Sequence, residues 1–178
     1  MTDPTGEAPP RLPLSRRART AVIALSVLAV LLVAASVGLA VTVKAHLDDR
    51  DALESARNAA VAAARQQIVN LDSLSYQTID EDLARVLAGA TGTFKDQFSR
   101  AQKDLKPVIL QNKSVSTGSV LFAGVVRADT DTATVLVAVD RTVKDATQPS
   151  GAVAHDRWRV DLEKHGGRWL VSDLEPVA

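Results

Sequence analysis

The sequence predicts an α+β protein in which one apolar transmembrane helix precedes helices packed on a curved four-stranded antiparallel sheet. Three features point to this class. Ala21–Val43 contains no charged residue. From Lys44 to Lys106, apolar residues recur at three- and four-residue steps, the spacing of helices with one buried face. Beyond Ser114 the period drops to two, the spacing of strands.

Residues 1–19 are rich in Pro and polar groups without apolar periodicity, and are read as a disordered cytoplasmic tail. Thr20–Val43 follows as the transmembrane helix, its Val, Ile, Leu and Ala broken only by Ser26, Ser36, Gly38 and Thr42 after Thr20. At about 1.5 Å per residue it spans about 35 Å, enough for a hydrocarbon core of about 30 Å. A helix also satisfies every backbone N–H and C=O within the segment. A cleaved signal peptide is the competing reading, but its apolar region runs only about 7–15 residues, so an uncleaved anchor is expected. The chain has no cysteine, which excludes a lipoprotein anchor and leaves the outer domain to fold without disulfides. Arg11, Arg16, Arg17 and Arg19 precede the span, while Asp48, Asp49 and Asp51 follow it with Lys44 and Arg50 among them. Because excess Lys/Arg stays on the cytoplasmic side, the N-terminus is assigned to the cytoplasm. Residues 44–178 are then extracytoplasmic, in the cell envelope. The net charge is +0, so no strong field points to nucleic acid.

Residues 44–71 read as a helix or stalk leading into the outer domain, and 72–178 as the remainder of that domain. Leu47, Leu53, Ala56, Ala60, Ala63, Ala64, Ile68 and Leu71 form one Ala-rich apolar stripe. It either packs across the domain's own sheet or pairs the stalk with another anchored helix, and self-association through it is one expected partnership. Thr78 and Glu81 have the spacing of a capping box at a second helix start, and Gly89 is a plausible stop. A third helix starts at Thr93, with Phe94, Phe98, Ala101 and Leu105 along one face, and ends near Lys106, because Pro107 disfavours continuation.

Four strands complete the chain. In Ser114–Ala128, Val120, Phe122 and Val126 alternate against Ser119, Leu121 and Val125, and Gly118 and Gly124 suggest bulges or bends. Val135, Val137, Val139 and Val143 form one face of the second strand; Trp158, Val160 and Leu162 form one face of the third. Gly166-Gly167 turns the chain into a fourth strand, with Trp169 and Val171 on one face and Leu170 and Leu174 on the other. Such a meander needs helices over its apolar face. The order of elements is similar to the cone-shaped fold of NTF2-like (SnoaL-like) domains.

No catalytic, cofactor-binding or metal-binding residue is assigned. His46, His155 and His165 have no metal-ligand neighbours at helical or strand spacing. An isomerase of the cone class would need a pocket carboxylate with a Tyr or a second acid. Tyr76 is the only tyrosine, and Asp140, Asp161 and Asp173 read as solvated or strand-end residues, so the chain is not expected to be an enzyme. Trp158 and Trp169 are expected to pack near each other in the core, with a lipid-binding cavity wall as the alternative.

Further motifs carry a family resemblance. They are the Ala-rich helix Asp51-Ala52-Leu53…Ala59-Ala60…Ala63-Ala64, then Tyr76…Asp80-Glu81-Asp82-Leu83 and Leu87-Ala88-Gly89-Ala90-Thr91-Gly92-Thr93-Phe94. Trp158-Arg159-Val160-Asp161-Leu162 and Gly167-Arg168-Trp169-Leu170-Val171-Ser172-Asp173-Leu174 close the set. With the arginine-flanked anchor, the pattern resembles the Mce-associated membrane proteins of actinobacteria, accessory subunits of mammalian-cell-entry lipid importers. The resemblance implies a non-enzymatic role in stabilising or assembling such an importer, with other Mce transporter subunits and the lipid bilayer as partners, no cofactor and no nucleic acid. Proteins resembling VirB8, membrane scaffolds of type IV secretion systems, share the architecture and form the alternative. A membrane-tethered lipid-binding or isomerase domain is a third class, which requires an open cavity.

Overall fold

From residue 49 the chain forms three helices and then four strands. Helix α1 is described over residues 49–72, followed by α2 (Ile79–Ala88) and α3 (Gly92–Asn112). The strands are β1 (Val115–Ala128), β2 (Thr132–Lys144), β3 (Ala152–His165) and β4 (Arg168–Pro176). The structure is a computed structural model that describes residue 44 and residues 49–177. The expected tail 1–19 and span Thr20–Val43 lie outside the described residues. Among the described residues, no helix is long and apolar enough to cross a membrane.

The strands pair antiparallel in the order β1-β2-β3-β4, the meander that the alternation predicts. Turn chemistry sets the registers. Between β1 and β2, the Asp129 carboxylate accepts the backbone N–H groups of Asp131 and Thr132 at 2.8 and 2.6 Å, which holds its pKa below the usual carboxylate range. Between β3 and β4, Gly166 and Gly167 take φ of +57° and +83°, a conformation that costs glycine little.

The helices cover the face formed by Val135, Val137, Val139, Val160, Leu162 and Val171, all buried. Ala60, Ala64 and Ile68 of α1 are fully buried in the same core. The two small alanine side chains let the α1 backbone lie close, so this part of the alanine stripe is occupied within the domain. Phe94 and Phe98 add a tilted aromatic pair with centroids 5.9 Å apart.

Several local expectations change. Helix α3 continues through Pro107 to Asn112, because Ile109 beyond the proline is buried and anchors the last turn. Its buried face runs through Phe94, Phe98 and Ile109, with Leu105 half-buried, while Ala101 is exposed. Thr78 is the N-cap of α2, but its side chain makes no capping bond. It donates instead to Asp82 at 2.9 Å, and the buried Asp82 carboxylate also accepts from the Ser75 N–H and from Arg85. In β1, bulges fall at Leu121 and Val126 rather than at the glycines. They leave Phe122 and Val126 exposed, while Val120, Ala123 and Val125 pack on the core. In β4 the extra residue Ser172 brings Leu174 opposite Val160 and against the core, on the same side as Val171.

Interhelix linkers tie both edges of the sheet. The Ser116 N–H donates to the Leu74 carbonyl (2.8 Å) and the Gly118 N–H to Ser73 Oγ (3.0 Å). At the other edge, Val171 exchanges backbone bonds with Gly89 and Thr91 at 2.9 and 2.8 Å.

Candidate binding cavity beside Asp72

The last residue of α1 carries a carboxylate into the interior. Gly118 makes this possible, since a Cβ there would stand 2.6 Å from Asp72 Cβ, closer than packed carbons ever come. With no side chain in the way, β1 closes over the helix end, and the Asp72 side chain is only 6% exposed.

Strand alternation supplies its neighbours. Counting inward along β2 from Val135 reaches Arg141, and counting along β3 from Val160 reaches Trp158 and then Asp156. Arg141 Nε lies 3.1 Å from Asp156 Oδ2 but 3.6 Å from Asp72 Oδ1, so the guanidinium favours Asp156. Burial pushes the Asp72 pKa up from 3.8 to about 6; Arg141 opposes that rise and Asp156 adds to it.

Asp72, Arg141 and Trp158 border a cavity of about 350 Å³, whose apolar wall includes Leu71, Leu105 and Ile109. Ser116 also lines it, its hydroxyl already bonded to the Leu74 backbone. A buried acid, a guanidinium and an indole N–H in a largely apolar recess can orient a polar head while hydrocarbon fills the remainder.

The acids weighed from the sequence lie elsewhere. Asp140 meets His155 at 2.6 Å, and Asp161 accepts from Thr134 and Arg159 at 2.5 and 2.7 Å. Asp161 and Asp173 border a more polar hollow of about 520 Å³ at the opposite end of the sheet. His165 pairs with Glu163, while His46 lies outside the described residues. The Tyr76 hydroxyl meets the Gln77 amide at 3.3 Å.

The two tryptophans do not pack together. Trp158 stands opposite Pro176 and Trp169 opposite Lys164, towards opposite ends of the β3–β4 ladder. Trp169 instead lies beneath the Lys164 ammonium, 5.9 Å from the ring centre. Both tryptophans pack against the core, and Trp158 also lines the cavity beside Asp72. Asp72, Arg141 and Asp156 were missed in the sequence. Inward parity along β2 and β3 was the available signal for the last two.

Residues 20–178 match the family described as uncharacterized protein Rv1363c/MT1408-like. The chain belongs to that family. Among its relatives in Mycobacterium tuberculosis, the protein named Rv1363c is 37% identical over 125 residues, 68% of this chain and 47% of its own length. Rv1362c is 34% identical over 132 residues, 72% of this chain and 59% of its own. The chain thus spans about half the length of these two relatives. A third, named outer membrane protein Rv1973, is 34% identical over 131 residues, covering 68% of this chain and 79% of its own.

Solved structures show the fold. The periplasmic domain of DotI matches with a TM-score of 0.56 at 11% identity, covering 66% of this chain and 91% of that one. CagV, a VirB8 homolog of Helicobacter pylori, matches with a TM-score of 0.54 at 7% identity, covering 66% and 95%. The Rv1363c/MT1408-like chain therefore shares the α+β architecture of the DotI periplasmic domain and of CagV.

Proposed function

We propose that this chain is a non-enzymatic accessory protein of the cell envelope, which assembles or stabilises a multi-subunit membrane machine. One juxtaposition carries the reading: the charge-free run Ala21–Val43 leads directly into a domain with the fold of VirB8-type periplasmic domains. In this reading 1–19 is the cytoplasmic tail, Thr20–Val43 the single-pass span in the cytoplasmic membrane, 44–71 the lead-in helix, and 72–178 the remainder of the extracytoplasmic domain. The name outer membrane protein borne by one relative supports an envelope location.

The machine proposed is an Mce-type lipid importer, on the strength of the motif resemblance that runs from the anchor to Leu174. The fold likeness to a VirB8 homolog of a type IV secretion system favours a second reading, a scaffold of a secretion apparatus. Affinity capture of the tagged full chain from gently solubilised native membranes separates the two. Co-recovery of Mce substrate-binding subunits with a permease and an ATPase is the expected result. Secretion-channel subunits in their place would establish the scaffold. Recovery of the chain without either set would overturn the accessory role.

A further inference from the structure

The cavity beside Asp72 carries an unmet hydrogen-bonding demand. Among the described residues, the buried side-chain polar atoms without a partner are Asp72 Oδ2 and Trp158 Nε1. Both residues line this one cavity. Buried polar atoms are almost always paired, so two orphans on one recess point to a missing group.

The two atoms narrow the chemistry of that group. An ionised Asp72 oxygen only accepts, and an indole N–H only donates. A hydroxyl can do both, donating to one and accepting from the other. An ammonium satisfies the carboxylate but offers nothing to the indole. A carboxylate suits the indole but enters beside Asp72, which already shares the Arg141 guanidinium with Asp156. Leu71, Leu74, Leu105, Ile109 and Val143 form the remaining apolar wall and call for hydrocarbon.

We propose that this cavity binds a small apolar alcohol, its hydroxyl held by Asp72 and Trp158 and its hydrocarbon laid against Leu105 and Ile109. The cavity's 350 Å³ or so lies at the lower end of the range for small-molecule pockets, about 300–1,000 Å³. Both orphan atoms are covered when the cavity is empty. The hydroxyl therefore reaches them only when the side chains that cover them shift. Such a site goes beyond the accessory role and does not depend on which machine the chain joins.

The test uses the full chain in lipid nanodiscs, with nitrogen-15 in its two tryptophans. Indole N–H resonances are followed by NMR, and Trp158→Phe assigns them. Titration with decahydro-2-naphthol should shift the Trp158 signal saturably and leave Trp169 in place, while decalin, which lacks the hydroxyl, should not. Asp72→Leu should weaken the alcohol's binding by about tenfold, the worth of one hydrogen bond to a charged group, with the Trp169 signal reporting that the variant is folded. The comparison of alcohol with hydrocarbon in the unsubstituted protein stands even if that variant does not fold. An unmoved Trp158 signal, an equal response to decalin, or undiminished affinity in folded Asp72→Leu would each overturn the proposal.

Discussion

Asp72 is the residue at which composition and environment disagree most. In the sequence it reads as one more polar group at a helix end, between Leu71 and Ser73. Nothing in its neighbourhood along the chain forecasts burial, which comes from Gly118, 46 positions later (118 − 72). Its pKa of about 6 in the folded protein stands above the 3.8 of an exposed carboxyl, so the native state holds a proton that the unfolded chain has released. The stability this group contributes is therefore complete below about pH 4 and is lost as pH rises towards 6. Asp72→Asn removes the buried charge. It should stabilise the domain by about 2 kcal/mol at pH 7 and by little at pH 4. Urea titrations of both proteins at the two pH values check this, and an equal difference at both would show that the carboxyl is not the cause.

Among the elements, α1 and the strands differ in how much of them could be read from sequence. The buried side of α1 was legible because Ala60, Ala64 and Ile68 recur at four-residue steps. Ala60→Glu puts an unpaired charge into a fully buried position, and we expect it to cost about 3 kcal/mol or more. An unchanged thermal midpoint would mean that this face is solvated. The strands were legible as strands, but their faces were not throughout. Alternation assumes an unbroken ladder, and one extra residue at Leu121, Val126 or Ser172 reverses every side chain beyond it. The contact between α1 and β1 is equally specific. Gly118→Ala forces a Cβ against Asp72 Cβ, where no flexible side-chain end can yield. A loss of about 1–3 kcal/mol is expected in denaturant titrations, and stability within experimental error of the parent would show that the two elements can separate without strain.

At the scale of the molecule, the order of helices and the antiparallel meander followed from the change of period near Ser114. The cavity did not, since α1, α3, β1, β2 and β3 each supply only one to a few of its residues. No local window of sequence contains a site assembled that way. The proposed topology is tested at the same scale. A reporter fused after Ala178 should be active only if it works outside the cytoplasm, and activity of a cytoplasm-dependent reporter would reverse the assignment.

The edge of β1 bears on how the protein keeps apart from copies of itself. Its first half is covered by the chain around Ser73–Tyr76. Its second half displays Leu121, Phe122 and Val126 to solvent, a combination that would invite a strand from another molecule. The bulges at Leu121 and Val126 spoil that invitation, because an incoming strand finds its regular spacing of donors and acceptors interrupted twice. Removing Leu121 would take away one of the two interruptions and make the edge more adhesive. Light scattering should show that the deletion variant aggregates at concentrations where the parent protein stays dispersed.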